Sequence, residues 1–390
     1  MISVAAALQA LLDLVSSLPA ENVPLRDAAG RVLNGIVIAH RDQPPFTASA
    51  MDGYAVWANQ QPETGTQWIV VGESAAGHGL NQTITSGQAA RIFTGAPLPE
   101  GTNHVVIQED IDRARNTITL KENADTQTYV RPAGADFHKD DTLNGPLLLT
   151  PARIALCAAM NAPTLSVTCK PKIAIIGTGD ELCQPGEDPA ADQIIASNTY
   201  GLAAMLNANG AEARILPIAR DNVAALQTVL TLATDCDLII TIGGASVGDH
   251  DLVATAASDM GLNQSFYRVA MRPGKPLMAG KLGAIPMIGL PGNPVSAMVC
   301  GHVFVLPVVR KMLGLTDTPP VLTAPLAKAM PKNGPREHYM RAMIKDGVIS
   351  AFGRQDSALL SVLSDANALI IRAPNADPAQ IGDIVEYLPI

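Results

Sequence analysis

The sequence is poor in aromatic residues, positive charge and cysteine patterning. Phe, Trp and Tyr make up 4% of its 390 residues. Its interior must therefore be built from Ala, Val, Leu, Ile and Met, and hydrophobic residues at 47% supply enough for several cores. Lys and Arg number 27 against 36 Asp and Glu, a net charge of −9. No nucleic-acid partner is expected, because that role needs a basic face, and any anionic ligand must meet locally clustered cations. The five cysteines, Cys157, Cys169, Cys183, Cys236 and Cys300, include no C-x-x-C pair. They read as reduced, small apolar residues of a cytoplasmic protein, not as disulfides, a thiol nucleophile or a zinc site. No apolar run reaches the roughly 18 residues of a membrane span, and the longest, AMVCGHVFVLPVV, contains His302 and Pro307. No membrane role is expected. The N-terminus has no basic residue before Arg26 and is interrupted by Asp13, so the spacing of Val4, Leu8, Leu11, Leu12, Val15 and Leu18 reads as an amphipathic helix and not a leader. There is no G-x-S-x-G elbow, and the seven histidines do not cluster. His250 is the one histidine in a candidate loop and reads as polar rim.

At about 100–200 residues per domain the length suggests two to four domains. Residues 1–45 hold the first helix and a mixed segment. Residues 46–139 alternate short apolar runs with turns, including Arg115–Asn116, and predict a β-rich domain. TPARIALCAAMNA predicts a helix that packs back on the first segment, making 1–45 plus 140–170 one discontinuous linker or dimerisation domain. From 171 to 316, apolar strands such as KIAIIG and DLIITIGG alternate with helices. The expected cap of SNTYGLAAMLNA is Ser197 or Asn198, and that of the helix after it is Asp221. The pattern predicts a three-layer α/β domain with a parallel-rich sheet covered on both faces. After TDTPP, residues 320–390 predict a small β-barrel-like domain with a hairpin at Asp346–Gly347. The fold class is thus multidomain α/β and β.

The central domain carries the chemistry. In an open α/β sheet, ligands bind beyond the carboxyl ends of the strands. Three loops there are glycine-rich: IIGTGDEL, ITIGGASVGDHD and GLPGNPVS. Bare backbone at Gly243 and Gly244 suits a phosphate, and the helix N-terminus that follows adds a positive pole. Asp249 and Asp251, with Glu181 and Asp221 on neighbouring loops, offer hard oxygen donors for Mg²⁺. Asp221 and Asp251 each also read as ordinary helix caps. In AMRPGKPLMAGK, Arg272 and Lys275 flank a stiff Pro-Gly turn at the same edge and suit a tetrahedral oxoanion or phosphate. In the β-rich domain, ASAMDGYAV, RIFTGAPLP and RPAGADF read as turns and loops when taken singly.

Together, SAMDGYAV, RIFTGAPLP, TGDEL, GGASVGDHD, RPGKP and LPGNPVSA resemble the molybdopterin molybdenumtransferases, the MoeA family related to the gephyrin C-terminal domain. Six motifs fall in family order across residues 49–297. The resemblance implies a four-domain homodimer whose active site lies between the central molybdopterin-binding domain of one subunit and the SAMDGYAV domain of the other. It implies insertion of molybdate into adenylylated molybdopterin with release of AMP, assisted by Mg²⁺, the substrate being donated by a molybdopterin adenylyltransferase. By matched position it implies Asp52, Thr94, Asp136, Glu181 and Asp221 as catalytic residues. With the reading of the loops, it implies that Gly243, Gly244, Ser246, Asp251, Arg272, Lys275, Pro291, Pro294, Ser296, Arg341 and Ser357 would be substrate-binding and that Glu181, Asp221, Asp249 and Asp251 would hold metal. Two alternatives stay open: adenylyl transfer to molybdopterin, and a non-catalytic molybdopterin-binding paralogue. The sequence departs from the family at Arg272, where Lys is usual, at Ala48 and Ala135 in place of polar neighbours, and at Gly177 where Ser is frequent.

Overall fold

The computed structural model describes residues 1–244, 252–315 and 320–390. The first unit is made from two distant stretches. Ala20–Pro24 pairs with Thr164–Thr168, Val32–Leu33 with Leu147–Leu148, and Ile36–Ile38 with Thr142–Asn144, all antiparallel. The helix Pro151–Ala159 closes over them. Thr150 caps it by accepting from Arg153 N, and Pro151 occupies the first turn, where no N–H is needed. Segments 20–45 and 140–170 therefore meet as one body. The helix Val4–Leu12 does not join it. Val4, Ala7, Leu11 and Leu12 are buried with Val303, Val308 and Met312 of the central domain. The early strands already have a covering helix, so the first helix finds free apolar surface elsewhere.

Residues 46–139 hold a six-stranded sheet in the order His104–Ile107, Gly53–Val56, Gln88–Ile92, Gln67–Ser74, Thr117–Leu120, Ile111–Ala114. The order places the strand after Met51-Asp52 directly beside the strand that leads into Thr94-Gly95.

The central sheet runs Glu212–Ile215, Lys172–Gly177, Leu238–Ile242, Ile285–Leu290, Pro276–Leu282, Leu262–Arg268. The first four strands are parallel and the last two antiparallel to their neighbours. The departure from an all-parallel sheet follows from chain length. Only two residues, Gly283 and Ala284, join Leu282 to Ile285, and a parallel connection needs a long crossover. Alternate strand residues enter opposite cores. Ile173, Ile175, Ile240 and Ile288 pack with the helices Ser197–Ala208 and Pro294–Cys300, while Ala174, Ile176, Ile239 and Met287 pack with Val223–Thr231 and Leu252–Asp259. That period of two is what makes three layers.

Two caps differ from expectation. Helix Ser197–Ala208 follows Ala196, with no side-chain cap bond, and Asn198 instead donates from Nδ2 to Gly292 O at 2.7 Å. Helix Val223–Thr231 is capped by Asn222, whose Oδ1 accepts from Ala225 N at 2.8 Å, so Asp221 is released from that structural task. The helix from Pro294 to Met312 is long and apolar enough to cross a membrane by length and composition, but 78% of it is buried inside the protein as core. Its middle, Gly301–Val305, is a π-turn, closed by Leu306 N bonding Gly301 O. Pro307 has no N–H for the Val303 carbonyl, and a wider turn accommodates that loss.

In the C-terminal domain, Val348–Ala351, Glu337–Lys345, Ala368–Arg372, Ile384–Pro389 and Leu322–Pro325 pair in sequence, and a Leu326–Ile349 bridge closes the ring. Asp346 and Gly347, with φ of 51° and 79°, make the hairpin turn that two positive-φ positions require. A sixth strand, Met271–Arg272, comes from the central domain and pairs parallel with Glu337–His338.

Candidate active site

The loops after Lys172–Gly177, Leu238–Ile242 and Ile285–Leu290 are tied edge to edge. Thr178 N bonds Ile242 O at 3.0 Å, and Gly243 N bonds Leu290 O at 3.1 Å. Gly243 and Gly244 have φ of 99° and 66°; a Cβ would meet Thr178 O at 2.6 Å at the first and Val253 Cγ2 at 2.4 Å at the second. Only glycine satisfies both backbone and space there. Around these loops opens a cleft of about 740 Å³ lined by Thr178, Glu181, Gly243, Pro291, Asn293 and Pro294, together with Pro276 and Ala358. Pro294 starts the long helix, so the positive end of that helix meets the cleft.

Asp180, Glu181 and Asp221 lie on adjoining loops. Asp221 N donates to Asp180 Oδ1 at 3.1 Å, and Arg220 Nη1 donates to the Asp180 and Leu182 carbonyls at 2.9 and 3.2 Å. Glu181 lines the cleft and is exposed, as is Asp221. Ser246, Asp249 and Asp251 lie outside the described residues. Among the described residues no three His, Cys, Asp or Glu are grouped closely enough to hold a metal. Glu181 and Asp221 match Mg²⁺ in the chemistry of their hard oxygens.

No Lys or Arg lines the cleft among the described residues, but Lys275 precedes the lining Pro276 and Ser357 the lining Ala358. Val269 N bonds Lys275 O at 3.1 Å, closing the RPGKP turn, and Arg272 is held by its pairing with His338. Val295 N donates to Ser357 O at 3.0 Å, joining the start of the long helix to the C-terminal domain beside the buried Ser296. Arg341 is 1% exposed, and its guanidinium makes one hydrogen bond among the described residues, from Nη1 to Leu359 O at 3.1 Å. Arg272, Lys275, Arg336 and Arg341 form no ion pair among the described residues. Burial pulls the Arg341 pKa down, with the Asp356 charge acting weakly the other way. Burial, then the charges of Arg272, Arg336 and Arg341, push His338 down to about 4. The guanidinium groups thus share one neighbourhood and keep the imidazole between them neutral.

His302, pushed to about 4 by burial, behaves alike. Both histidines stay neutral in the fold, while in the unfolded chain they bind protons below pH 6.5. Their stability contribution is full above about pH 6.5 and is lost as pH falls toward 4, on the order of 2–4 kcal/mol for each. Urea midpoints should drop between pH 7 and pH 5, and His302→Leu should flatten that drop; an unchanged slope would refute the assignment.

A second cluster lies in the β-rich domain. Asp52 Oδ1 accepts from both Thr94 N and Thr94 Oγ1 at 2.8 Å, and these bonds, backbone first, hold its carboxyl below the usual range. Arg91 stacks over Tyr54 and Phe93, with centroids at 5.2 and 4.7 Å, and donates to Gly53 O and Gln108 Oε1. Sequence reasoning missed Arg91, although its flanking aromatic Phe93 was a signal. Asp136 is exposed on its own loop, its N–H bonded to Gln43 O, outside the Asp52–Thr94 pair. None of Asp52, Thr94 or Asp136 lines the central cleft.

Comparison with known proteins matches three successive regions of the chain. Residues 2–161 match the MoeA N-terminal region (domain I and II), 174–311 a probable molybdopterin binding domain, and 323–390 the MoeA C-terminal region (domain IV). The chain is 35% identical to molybdopterin molybdenumtransferase 2 of Mycobacterium tuberculosis, with 89% of each chain covered. It is 36% identical to the molybdopterin molybdenumtransferase of Nostoc sp., with 90% of this chain and 84% of the relative covered. The molybdopterin biosynthesis moeA protein of Pyrococcus horikoshii superposes with a TM-score of 0.85 over 100% of both chains at 26% identity. On sequence, domain order and fold, the chain belongs to the MoeA family.

Proposed function

We propose that this protein is a molybdopterin molybdenumtransferase that inserts molybdenum, supplied as molybdate, into adenylylated molybdopterin and releases AMP. The observation that carries this reading is Arg341. A guanidinium 1% exposed and without an ion pair among the described residues is held against its desolvation penalty. Arg272 acts with it on the same His338, Lys275 precedes Pro276 of the cleft wall, and a tetrahedral dianion reaching from the cleft would satisfy all three. Beside them, the glycine backbone at 243–244 and the N-terminus at Pro294 suit the phosphates. Bringing two like charges to about 4 Å costs roughly 4 kcal/mol at an effective dielectric near 20, and three nearby cations and a helix pole offset that repulsion. Ser296 and Ser357 would orient the oxoanion, and the neutral His338 leaves the anion as the partner of the guanidinium groups.

Mg²⁺ would be held by Glu181 and Asp221, with Asp249 and Asp251, and would supply charge neutralisation at the phosphoanhydride. Neither Asp52 nor Thr94 lines the central cleft of its own chain among the described residues. A homodimer supplies the missing complement: Asp52, Thr94 and Asp136 of one subunit act at the central cleft of the other. A molybdopterin adenylyltransferase would hand over the substrate.

The test is AMP release from adenylylated molybdopterin with and without molybdate. Release that needs molybdate, falling about 10–100-fold in Asp221→Ala with the dimer intact, is the expected result. Efficient adenylylation of molybdopterin from ATP, with no molybdate dependence, would overturn it.

A further inference from the structure

A second cavity of about 400 Å³ lies between the central and C-terminal domains. Gly201, Met298 and His302 line it from the central helices, and Leu360, Leu363 and Ile390 from the C-terminal domain. It adjoins the cleft, since Ser197 and Asn198 line both. Its walls are apolar apart from that shared rim, Ser364 and one imidazole. His302 rides on the π-turn, which displaces it from α-helical register, and makes no side-chain hydrogen bond among the described residues. At the junction, Asn198 Nδ2 is committed to Gly292 O, and its Oδ1 is buried without a partner among the described residues. Gly201 lets its helix pack close to Met298, since a Cβ there would meet Met298 Sδ at 3.1 Å.

We propose that this cavity is the subsite for a planar nitrogen heterocycle of the ligand whose phosphates occupy the cleft. The inference rests on the proposed function, which places a phosphoanhydride at Gly243–Gly244. Methionine and leucine walls cover ring faces well, with sulfur gaining from contact with an aromatic edge. His302, kept neutral by burial, offers both a donor and an acceptor to a ring edge, and the Asn198 oxygen offers an acceptor at the mouth. A phosphate or metal ion would gain nothing from such walls. A purine and a pterin share the required chemistry, and the substrate carries one of each.

The experiment is calorimetric titration of the whole protein with AMP, with 6-carboxypterin and with inorganic pyrophosphate. Wild type should bind AMP or the pterin, and the heterocycle that gains from the cavity identifies its source. His302→Leu removes the ring-edge partner but no protein hydrogen bond among the described residues, and Ala366→Phe fills the cavity from the C-terminal side. Each should weaken the heterocyclic ligand about tenfold or more, with pyrophosphate affinity and melting temperature unchanged. Heterocycle binding equal to wild type in both variants, or no heterocycle binding by wild type, would overturn the subsite. Failure of wild type to bind pyrophosphate would instead overturn the reading of the cleft.

Discussion

Replacing Arg341 with methionine is expected to lower molybdate-dependent AMP release about 10²–10³-fold while leaving the melting temperature unchanged or higher. Methionine matches the long, nearly straight stem and needs no hydrogen bonds. Arg341 is 1% exposed and has Leu359 O as its guanidinium's acceptor among the described residues. A buried cation replaced by a well-packed apolar residue is often neutral or stabilising, whereas a cation that grips a transition-state anion is not replaceable. The two effects therefore move in opposite directions, as expected where function is held against stability. The loss should appear in kcat as well as in kcat/KM for molybdate, and Arg341→Lys should recover part of it. A melting temperature that falls sharply, with residual activity tracking the folded fraction, would make Arg341 a structural residue and remove the main support for the oxoanion site.

Mixing two inactive variants should restore activity. Asp52→Ala removes the acceptor of both Thr94 bonds in the β-rich domain, and Glu181→Ala removes a carboxylate of the cleft. If the site is built from both subunits, each variant alone is nearly inactive. Statistical exchange makes half of the dimers mixed, and each mixed dimer has one site with both residues intact, so about a quarter of wild-type activity returns. The measurement is AMP release after co-refolding or prolonged subunit exchange, with gel filtration to follow the dimer. Activity no greater than the sum of the separate variants would mean that Asp52 and Glu181 serve the same site from one chain, or that Asp52 serves none.

Much of the central fold is legible from local pattern. KIAIIG and DLIITIGG are apolar throughout because both faces of their sheet are covered, and Gly243 and Gly244 at the end of the second stand where a Cβ would strike Thr178 O or Val253. The caps are less legible, because Ala196-Ser197-Asn198 and Asp221-Asn222 each offer neighbouring polar residues and the fold decides between them. Asn198 is drawn to Gly292, and Asp221 N to Asp180, by contacts formed across the sheet edge. Periodicity shows which side of Val4–Leu12 is apolar but not what covers it. The burial of Arg341 is invisible locally, since it depends on the 355–359 segment folding across it. The π-turn at Gly301–Val305 depends on Pro307 together with packing of Gly301 against Leu202 and Met205.

The Met271–Arg272 strand has a consequence for the chain's modularity. Because it completes a sheet whose other members come after residue 320, the C-terminal barrel is not an appendage that a shorter version could discard. Tyr339, Leu369 and Leu388 are embedded in the same apolar mass as the central sheet. A chain ending before Val321 would bare that seam and release Arg272 from its anchor, giving a sticky fragment with a slack anion loop and not a minimal enzyme.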